Sequence, residues 1–326
     1  MNTEIKFKNL IELTKYFSDE RKCCEHLAQL RWGGTPACPH CGSTKVYKCK
    51  APRAYICGEK GCLSRFSVTT GTFLEDTKIP LSKWFIAMYL CFSHKKGVSS
   101  CQLARDLGCT QKTAWFILHR IRSFVSAKAP EMLLQNMVEA DETYIGGKEK
   151  NRHANKKTVK DDLTIVEKRK TNVGRAAYKD KSTVAGIVER GTGRVVAKYV
   201  PNANSEHIHP FIKDNVKEGS KLYTDEWYGY NGLDKTFTRD TVKHMLKEYV
   251  RGEVHTNTIE NFWSVLKRGI YGTYHQVSRK HIQKYLDEFS FKYSTRENTE
   301  QERFDKALSL CEGKLKYPQL IQHNAK

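Results

Sequence analysis

The sequence predicts an α+β protein of several modules: a small cysteine-rich β module, a three-helix module and a larger α/β core. Three observations predict it. Four Cys fall in two close pairs between residues 38 and 62. Apolar residues recur at helical spacing between about 78 and 128, with two short breaks. From Val138 to Asp225, β-rich runs are followed by a capped helical stretch and another strand. The 326 residues suit two or three units, at roughly 100–200 residues per domain.

Composition narrows the partners. The net charge is +20 and its positive residues are spread over the whole chain, so a polyanion, DNA before any other, is the expected partner. No long apolar run, signal peptide or amphipathic anchor is visible, which argues against a membrane partner and for the cytoplasm. Eleven Cys, an odd number, point to a reducing compartment where thiols bind metal or pack.

Residues 1–34 read as a helical lead-in, with Leu10, Ile11, Leu13, Tyr16 and Phe17 at helical spacing before the break Trp32-Gly33-Gly34. Residues 35–76 hold too few apolar side chains for a core. Cys38 and Cys41 form a Cys-x₂-Cys knuckle, and Cys57 with Cys62 follows after fifteen residues, a set that satisfies a tetrahedral ion. A structural Zn²⁺ in a zinc ribbon is therefore predicted. Gly42, Gly58 and Gly61 are expected to supply the tight backbone around the thiolates. The remaining Cys lack such spacing and are assigned to packing.

Residues 77–130 read as three helices. Pro80 opens the first, Ser99 caps the second, Ser100 to Leu107, and Gly108-Cys109-Thr110 is a three-residue turn before a third that starts at Gln111. This is the spacing of a helix-turn-helix, with Gln111, Lys112 and Thr113 as DNA contacts and Trp115, Phe116, Leu118 and Ile121 as the inner face. A plain three-helix linker is the alternative.

Residues 131–300 form the predicted core. A strand from Val138 carries Glu139, Asp141 and Glu142 and ends at Gly146-Gly147. A segment crowded with Lys and Arg, 148–182, reads as a basic loop suited to a phosphate backbone. Runs 183–188 and 195–200 form a hairpin across Arg190-Gly191-Thr192-Gly193. A helix from Asn204-Ser205 and a short strand ending at Asp225 follow. Three antiparallel strands, a helix and another strand are the order of a ribonuclease H-like fold. A later helix with an apolar stripe of Ile259, Phe262, Trp263, Leu266 and Ile270 carries Glu260 at its edge and Lys267 two turns on. By strand alternation Glu139 shares the face of Asp141 and Glu142 points away. Residues 301–326 read as a C-terminal tail.

Three carboxylates on such elements suit Mg²⁺ or Mn²⁺, hard cations that want oxygen ligands; a pair about 3.5–4 Å apart activates a nucleophile and relieves leaving-group charge in phosphodiester cleavage. Lys267 and Arg268 are the expected phosphate contacts beside them. Any one of these acids taken alone is more simply a solvated surface group.

The blocks Arg31-Trp32-Gly33, Cys38-Pro39-His40-Cys41, Asp141-Glu142-Thr143-Tyr144-Ile145-Gly146-Gly147, Asn257-Thr258-Ile259-Glu260-Asn261-Phe262-Trp263 and Gly272-Thr273-Tyr274-His275 resemble bacterial insertion-sequence transposases of the zinc-ribbon, ISXO-like branch, distant relatives of Merlin elements. The resemblance runs to about Arg296. It implies a DDE transposase with Asp141, Asp225, Glu260 and Lys267 as catalytic residues, metal-dependent cleavage at element ends, strand transfer into target DNA, and at least a homodimer on DNA at the bacterial nucleoid. A zinc-containing regulator with an inert core, a nuclease that joins nothing, and a structural zinc protein are the competing readings.

Overall fold

The computed structural model describes residues 7–126, 132–146, 181–242 and 250–315, in two compact units. The first comprises 1–129 and 295–326, the second 130–294. The expected basic loop, 148–182, lies outside the described residues except for Lys181 and Ser182.

In the first unit the lead-in is two helices, α1 (Leu10–Tyr16) and α2 (Glu20–Trp32). Asp19 restarts the chain by accepting the Arg21 N–H, and Gly33, at φ +58°, ends α2 in the left-handed region. Leu13 and Phe17 are buried, whereas Ile11 is 78 % exposed and does not belong to the apolar stripe. Strands β1 (Val46–Lys48), β2 (Ala54–Cys57) and β3 (Arg65–Ser67) make an antiparallel meander. Helices α3 (Leu81–Ser93), α4 (Ser100–Leu107) and α5 (Gln111–Ser126) follow. Ser99 caps α4, Gly108 at φ +57° closes it, and the Thr110 hydroxyl accepts the Thr113 N–H at the start of α5. The buried face of α5 is Ala114, Ile117, Leu118, Ile121 and Phe124; Trp115 and Phe116, expected there, are only half-buried. They fall on the flank of the stripe because Ala114 and Ile117 occupy its centre.

The segment read as a tail is in part a structural element. A capping box of Thr299 and Glu302 starts a helix over Glu300–Ser309, which belongs to the first unit. Its Phe304 is buried against Phe7, Phe17 and Phe85 and stacks on His26, while Asp305 pairs with His26 Nε2 at 2.7 Å. Beyond the helix, Arg31 binds Glu312 and the Phe73 N–H donates to Cys311 O.

The second unit is a five-stranded mixed sheet. Strands β4 (Met137–Ile145), β5 (Ser182–Glu189) and β6 (Val195–Val200) form an antiparallel meander, and β7 (Lys221–Asp225) and β8 (Thr238–Val242) lie parallel on its other side, in the order β6-β5-β4-β7-β8. Strand β8 has no counterpart in the sequence expectation, because this edge strand exposes polar Thr238 and Asp240 and offers little apolar signal. Every residue of β5 is buried, as expected of a strand covered on both faces. Ala185 and Ile187 face a core completed by Ile208, Phe211 and Ile212 of α6 (Ser205–Asn215). Val184 and Val188 face the other core, built by Ile259, Phe262, Trp263 and Leu266 of α7 (Asn257–Gly269) and by Leu286 and Phe289 of α8 (Ile282–Ser294). The Glu300–Ser309 helix is α9. Among the described residues no helix is long and apolar enough to cross a membrane.

Truncating Phe304 to Ala removes a ring from the middle of an aromatic cluster and should cost about 3–5 kcal/mol. Urea unfolding of the full chain checks this: a lower midpoint for the first unit is expected, and an unchanged one would return 301–326 to the status of a tail.

Candidate active site and metal site

The site in the second unit begins with register. Parallel pairing of β4 with β7 sets Glu139 opposite Tyr223, and two residues further along each strand stand Asp141 and Asp225. Asp141 shares its face with Glu139, as strand alternation requires, and that face is covered by α7. Helix α7 contributes Glu260 and, two turns later, Lys267. All four side chains line one cleft of about 380 Å³, together with Glu142, Thr143, Trp263 and Ser264.

Trp263 had been legible only as a core residue of the apolar stripe. Its indole Nε1–H donates to Asp141 Oδ2 at 2.9 Å. Room for the ring comes from Gly186, the antiparallel register partner of Asp141: a Cβ there would fall 2.4 Å from the indole. The Gly therefore answers to a close approach, not to backbone strain.

Glu139 holds the same helix one turn earlier. It is fully buried, and its carboxylate accepts the Thr258 N–H at 2.8 Å, the Ile259 N–H at 3.0 Å and the Thr258 hydroxyl at 2.8 Å. A strand thus supplies the N-terminal cap of α7, where a negative charge also suits the helix dipole. Thr256, at the N-cap position of α7, makes no side-chain cap and instead donates its hydroxyl to Glu260 Oε1 at 3.0 Å. Arg190 completes the arrangement by pairing with Glu139 and donating to His255 O at 2.7 Å, and His255 Nδ1 lies 3.3 Å from Glu139. His255 belongs to this clamp, and Asn257 is exposed.

The electrostatics follow from burial and crowding. The Asp141 carboxyl is pushed up to about 7, first by burial and then by Asp225. Glu142 points to the opposite face, as alternation predicts, and accepts the Tyr230 hydroxyl at 2.7 Å; the ladder between β4 and β7 stops at Glu139, so Glu142 still reaches the cleft. Burial pushes it up to about 8, with Asp225 and Asp141 adding to the rise against the Tyr230 hydrogen bond. Burial lowers the Lys267 ammonium, with Asp141 opposing that shift. These acids crowd one cleft whose lining includes a single cation, a donor set that fits a hard divalent cation. Their oxygens share the cleft without closing to the mutual 4.8 Å that, among the described residues, only the cysteine cluster reaches.

Other sequence candidates lie elsewhere. Arg268 is exposed, off the cleft, and its Nε–H donates to Ser264 O. Gln111 and Lys112 are exposed at the first turn of α5, in the first unit, with Gln111 Nε2 donating to Ser100 Oγ at 2.7 Å; Thr113 is half-buried.

In the first unit the Sγ atoms of Cys38, Cys41, Cys57 and Cys62 all lie within 4.8 Å of one another. Cys38–Cys62 is 3.8 Å and Cys41–Cys57 is 3.6 Å, close to the ~3.8 Å edge of a tetrahedron with Zn–S bonds of about 2.3 Å and too long for disulfides. Gly42 takes φ +75° in the first knuckle. In the second, Gly58 is required by contact, since a Cβ would lie 2.5 Å from the Tyr47 ring, whereas Gly61 sits in open space and Leu63 adopts the positive φ, +44°. Elsewhere, burial pushes the Cys23 and Cys24 thiols up to about 12, consistent with packing.

Residues 133–294 match the ISXO2-like transposase domain and residues 18–64 the transposase zinc-ribbon domain. An uncharacterized protein in transposable element ISH50 of Halobacterium salinarum is 31% identical over 285 residues, covering 85% of this chain and 92% of the relative. An uncharacterized transposase-like protein of Haemophilus influenzae is 29% identical over 105 residues, 32% of this chain and 84% of the relative. A simian T-cell lymphotropic virus intasome structure superposes with a TM-score of 0.27 at 11% identity, covering 73% of this chain and 76% of that one, too loosely to inform the fold. The protein is of the transposase class. Within it, the chain belongs to the ISXO2-like transposases of the IS1595 insertion-sequence family, and its four-cysteine cluster is the structural zinc site of the ribbon.

The raised carboxyls set a pH dependence. Between about pH 4 and 7 the folded chain keeps the Asp141 proton that the unfolded chain has released, and Glu142 acts in the same direction up to about 8. The contribution of these two carboxyls to the stability of the metal-free second unit is therefore full below about pH 4 and declines as pH rises through these values. Thermal unfolding in chelator should show that decline, with Mg²⁺ restoring the midpoint at alkaline pH and adding nothing at acid pH; a midpoint that climbs with pH would contradict the assignment.

Proposed function

We propose that this transposase binds the ends of its insertion sequence and catalyses metal-dependent cleavage and strand transfer into target DNA, with Asp141, Asp225 and Glu260 as the acidic triad. The observation that carries the reading is the adjacency of Asp141 and Asp225 on parallel strands, in one cleft with Glu260 and Lys267. The order β6-β5-β4-β7-β8, three antiparallel strands followed by parallel ones, supports a ribonuclease H-like core for this domain.

Asp141, Asp225 and Glu260 are the residues to hold Mg²⁺ or Mn²⁺, which when bound supplies an activated oxygen nucleophile and charge relief at the leaving oxygen. The chain's own part is positional. Trp263 fixes one Asp141 oxygen, and Thr256 orients Glu260. Lys267, on the wall of the same cleft, offsets the charge of the bound phosphate. In the first unit the α4–turn–α5 arrangement, with Gln111, Lys112 and Thr113 opening α5, supports a helix-turn-helix that contacts element-end DNA, and Arg268 adds a phosphate contact outside the cleft. Pairing two element ends calls for at least a homodimer on DNA.

The test incubates the protein, and its Asp225→Ala form, with Mg²⁺ or Mn²⁺, labelled DNA carrying the flanking inverted repeats, and a target plasmid. Joined products are expected from the wild type alone, while Asp225→Ala still binds end DNA. Cutting without joining would leave a nuclease, and binding with neither product would leave a DNA-binding regulator.

A further inference from the structure

The segment after Asp225 is pinned at three points, two of them on carboxylates that line the cleft. The Trp227 N–H donates to Asp225 Oδ1 at 3.0 Å, the Trp227 indole N–H donates to Ala203 O at 2.7 Å, and the hydroxyl of buried Tyr230 donates to Glu142 Oε2 at 2.7 Å. Asp225 and Glu142, which hold this turn at its two ends, both line the cleft, so the turn leaves directly from the cleft's lining. Gly229 allows the turn to lie this close: a Cβ there would stand 2.8 Å from Ala203 O and 2.9 Å from the Trp227 ring.

Tyr228 lies in the middle of this held turn and is 59 % exposed. Its ring sits 4.3 Å from the Trp227 ring, tilted by 42°, so an anchored aromatic backs one side of it and the other side meets solvent. Leaving so much apolar ring in water is unfavourable, and a turn this firmly tied gives the side chain little scope to fold away. One exposed ring is far smaller than the ~800 Å² per partner of an ordinary protein interface. A planar ligand of about its own size fits. In a protein of net charge +20 beside an acidic, phosphate-competent cleft, that ligand is a nucleobase.

We propose that Tyr228, backed by Trp227, is a stacking platform for one unpaired base of DNA next to the phosphate seated in the cleft, an inference that rests on the strand-cleavage reading above. The platform holds a base drawn out of the duplex and so exposes the adjoining phosphodiester to Asp141 and Asp225. Its occupant is any base, since stacking uses the π-face common to all four.

The experiment measures cleavage of an inverted-repeat duplex, with Mg²⁺, by the wild type and by Tyr228→Ala, Tyr228→Phe and Tyr228→Trp. It then repeats the wild-type and Ala assays on duplexes carrying a single abasic site at each position around the cut. Tyr228→Ala should slow cleavage of intact DNA by about 5- to 150-fold, the loss of one base–aromatic stack. The Phe and Trp forms should stay near wild type. With an abasic site at one position next to the cut, the wild type and Tyr228→Ala should cleave equally, because no base remains to be stacked. Three outcomes overturn the platform: no deficit in Tyr228→Ala, a deficit that persists at every abasic position, or a deficit shared by the Phe form. The first two outcomes, seen with an active wild type, leave the cleavage reading standing, as does the third; no cleavage by the wild type overturns that reading and the platform with it.

Discussion

The carboxylate of Glu139 is the joint on which the second unit turns. It is fully buried, it is matched by the Arg190 guanidinium, and it receives two backbone N–H groups and a hydroxyl from the first turn of α7. A lone buried charge would be costly, so the fold is obliged to keep all of these partners together. Because Glu139 and Asp141 are two residues apart on one face of β4, the joint also fixes where α7 crosses the strand that carries the first acid. Glu260, one residue past the capped amides, and Lys267, two turns on, are then delivered to the same cleft. The anchor and the acidic cleft are one construction, in which a structural carboxylate sets the place of the carboxylates proposed to act.

That construction brings like charges together. Asp141 and Asp225 stand on neighbouring parallel strands, Glu142 joins them from the other face, and burial raises the first and third. The chain as a whole carries the opposite sign, +20, so a polyanion is drawn to a surface that encloses an acidic pocket. In the proposed reading a divalent cation would reconcile the two, discharging the pocket and presenting positive charge to a phosphate. In the first unit zinc answers a different need: the β1–β3 meander carries few apolar residues, and four thiolates on one ion stand in for the missing core.

Much of this was legible in the sequence where a local pattern determines structure. The Cys pairs, Gly108 between two helices, the β5–β6 hairpin and the apolar stripe of α7 all express short-range rules, and each appears in the fold at or near its expected place. What was not legible depends on residues far apart in the chain. Phe304 reads as part of a tail until Phe7, Phe17 and Phe85 surround it. Trp263 reads as core because nothing local reveals that Gly186, 77 positions earlier, leaves space for its indole to reach Asp141. Thr256 has the right chemistry for a cap, but a carboxylate 117 positions earlier in the chain has the better charge and takes the role. Edge strand β8 is polar at every position but Val242 and gives no periodic signal to read.

The central claim, that Glu139 holds α7 against β4 and through it assembles the site, is tested most directly by amide hydrogen exchange on the Glu139→Gln protein. Breaking one partner of a buried pair costs about 3–5 kcal/mol, so protection along α7, beginning at Thr258 and Ile259, should fall by roughly a hundredfold or more while β5 and β6 keep theirs. Equal protection of α7 in the two proteins would show that the apolar stripe alone seats the helix and that the buried carboxylate is not its anchor.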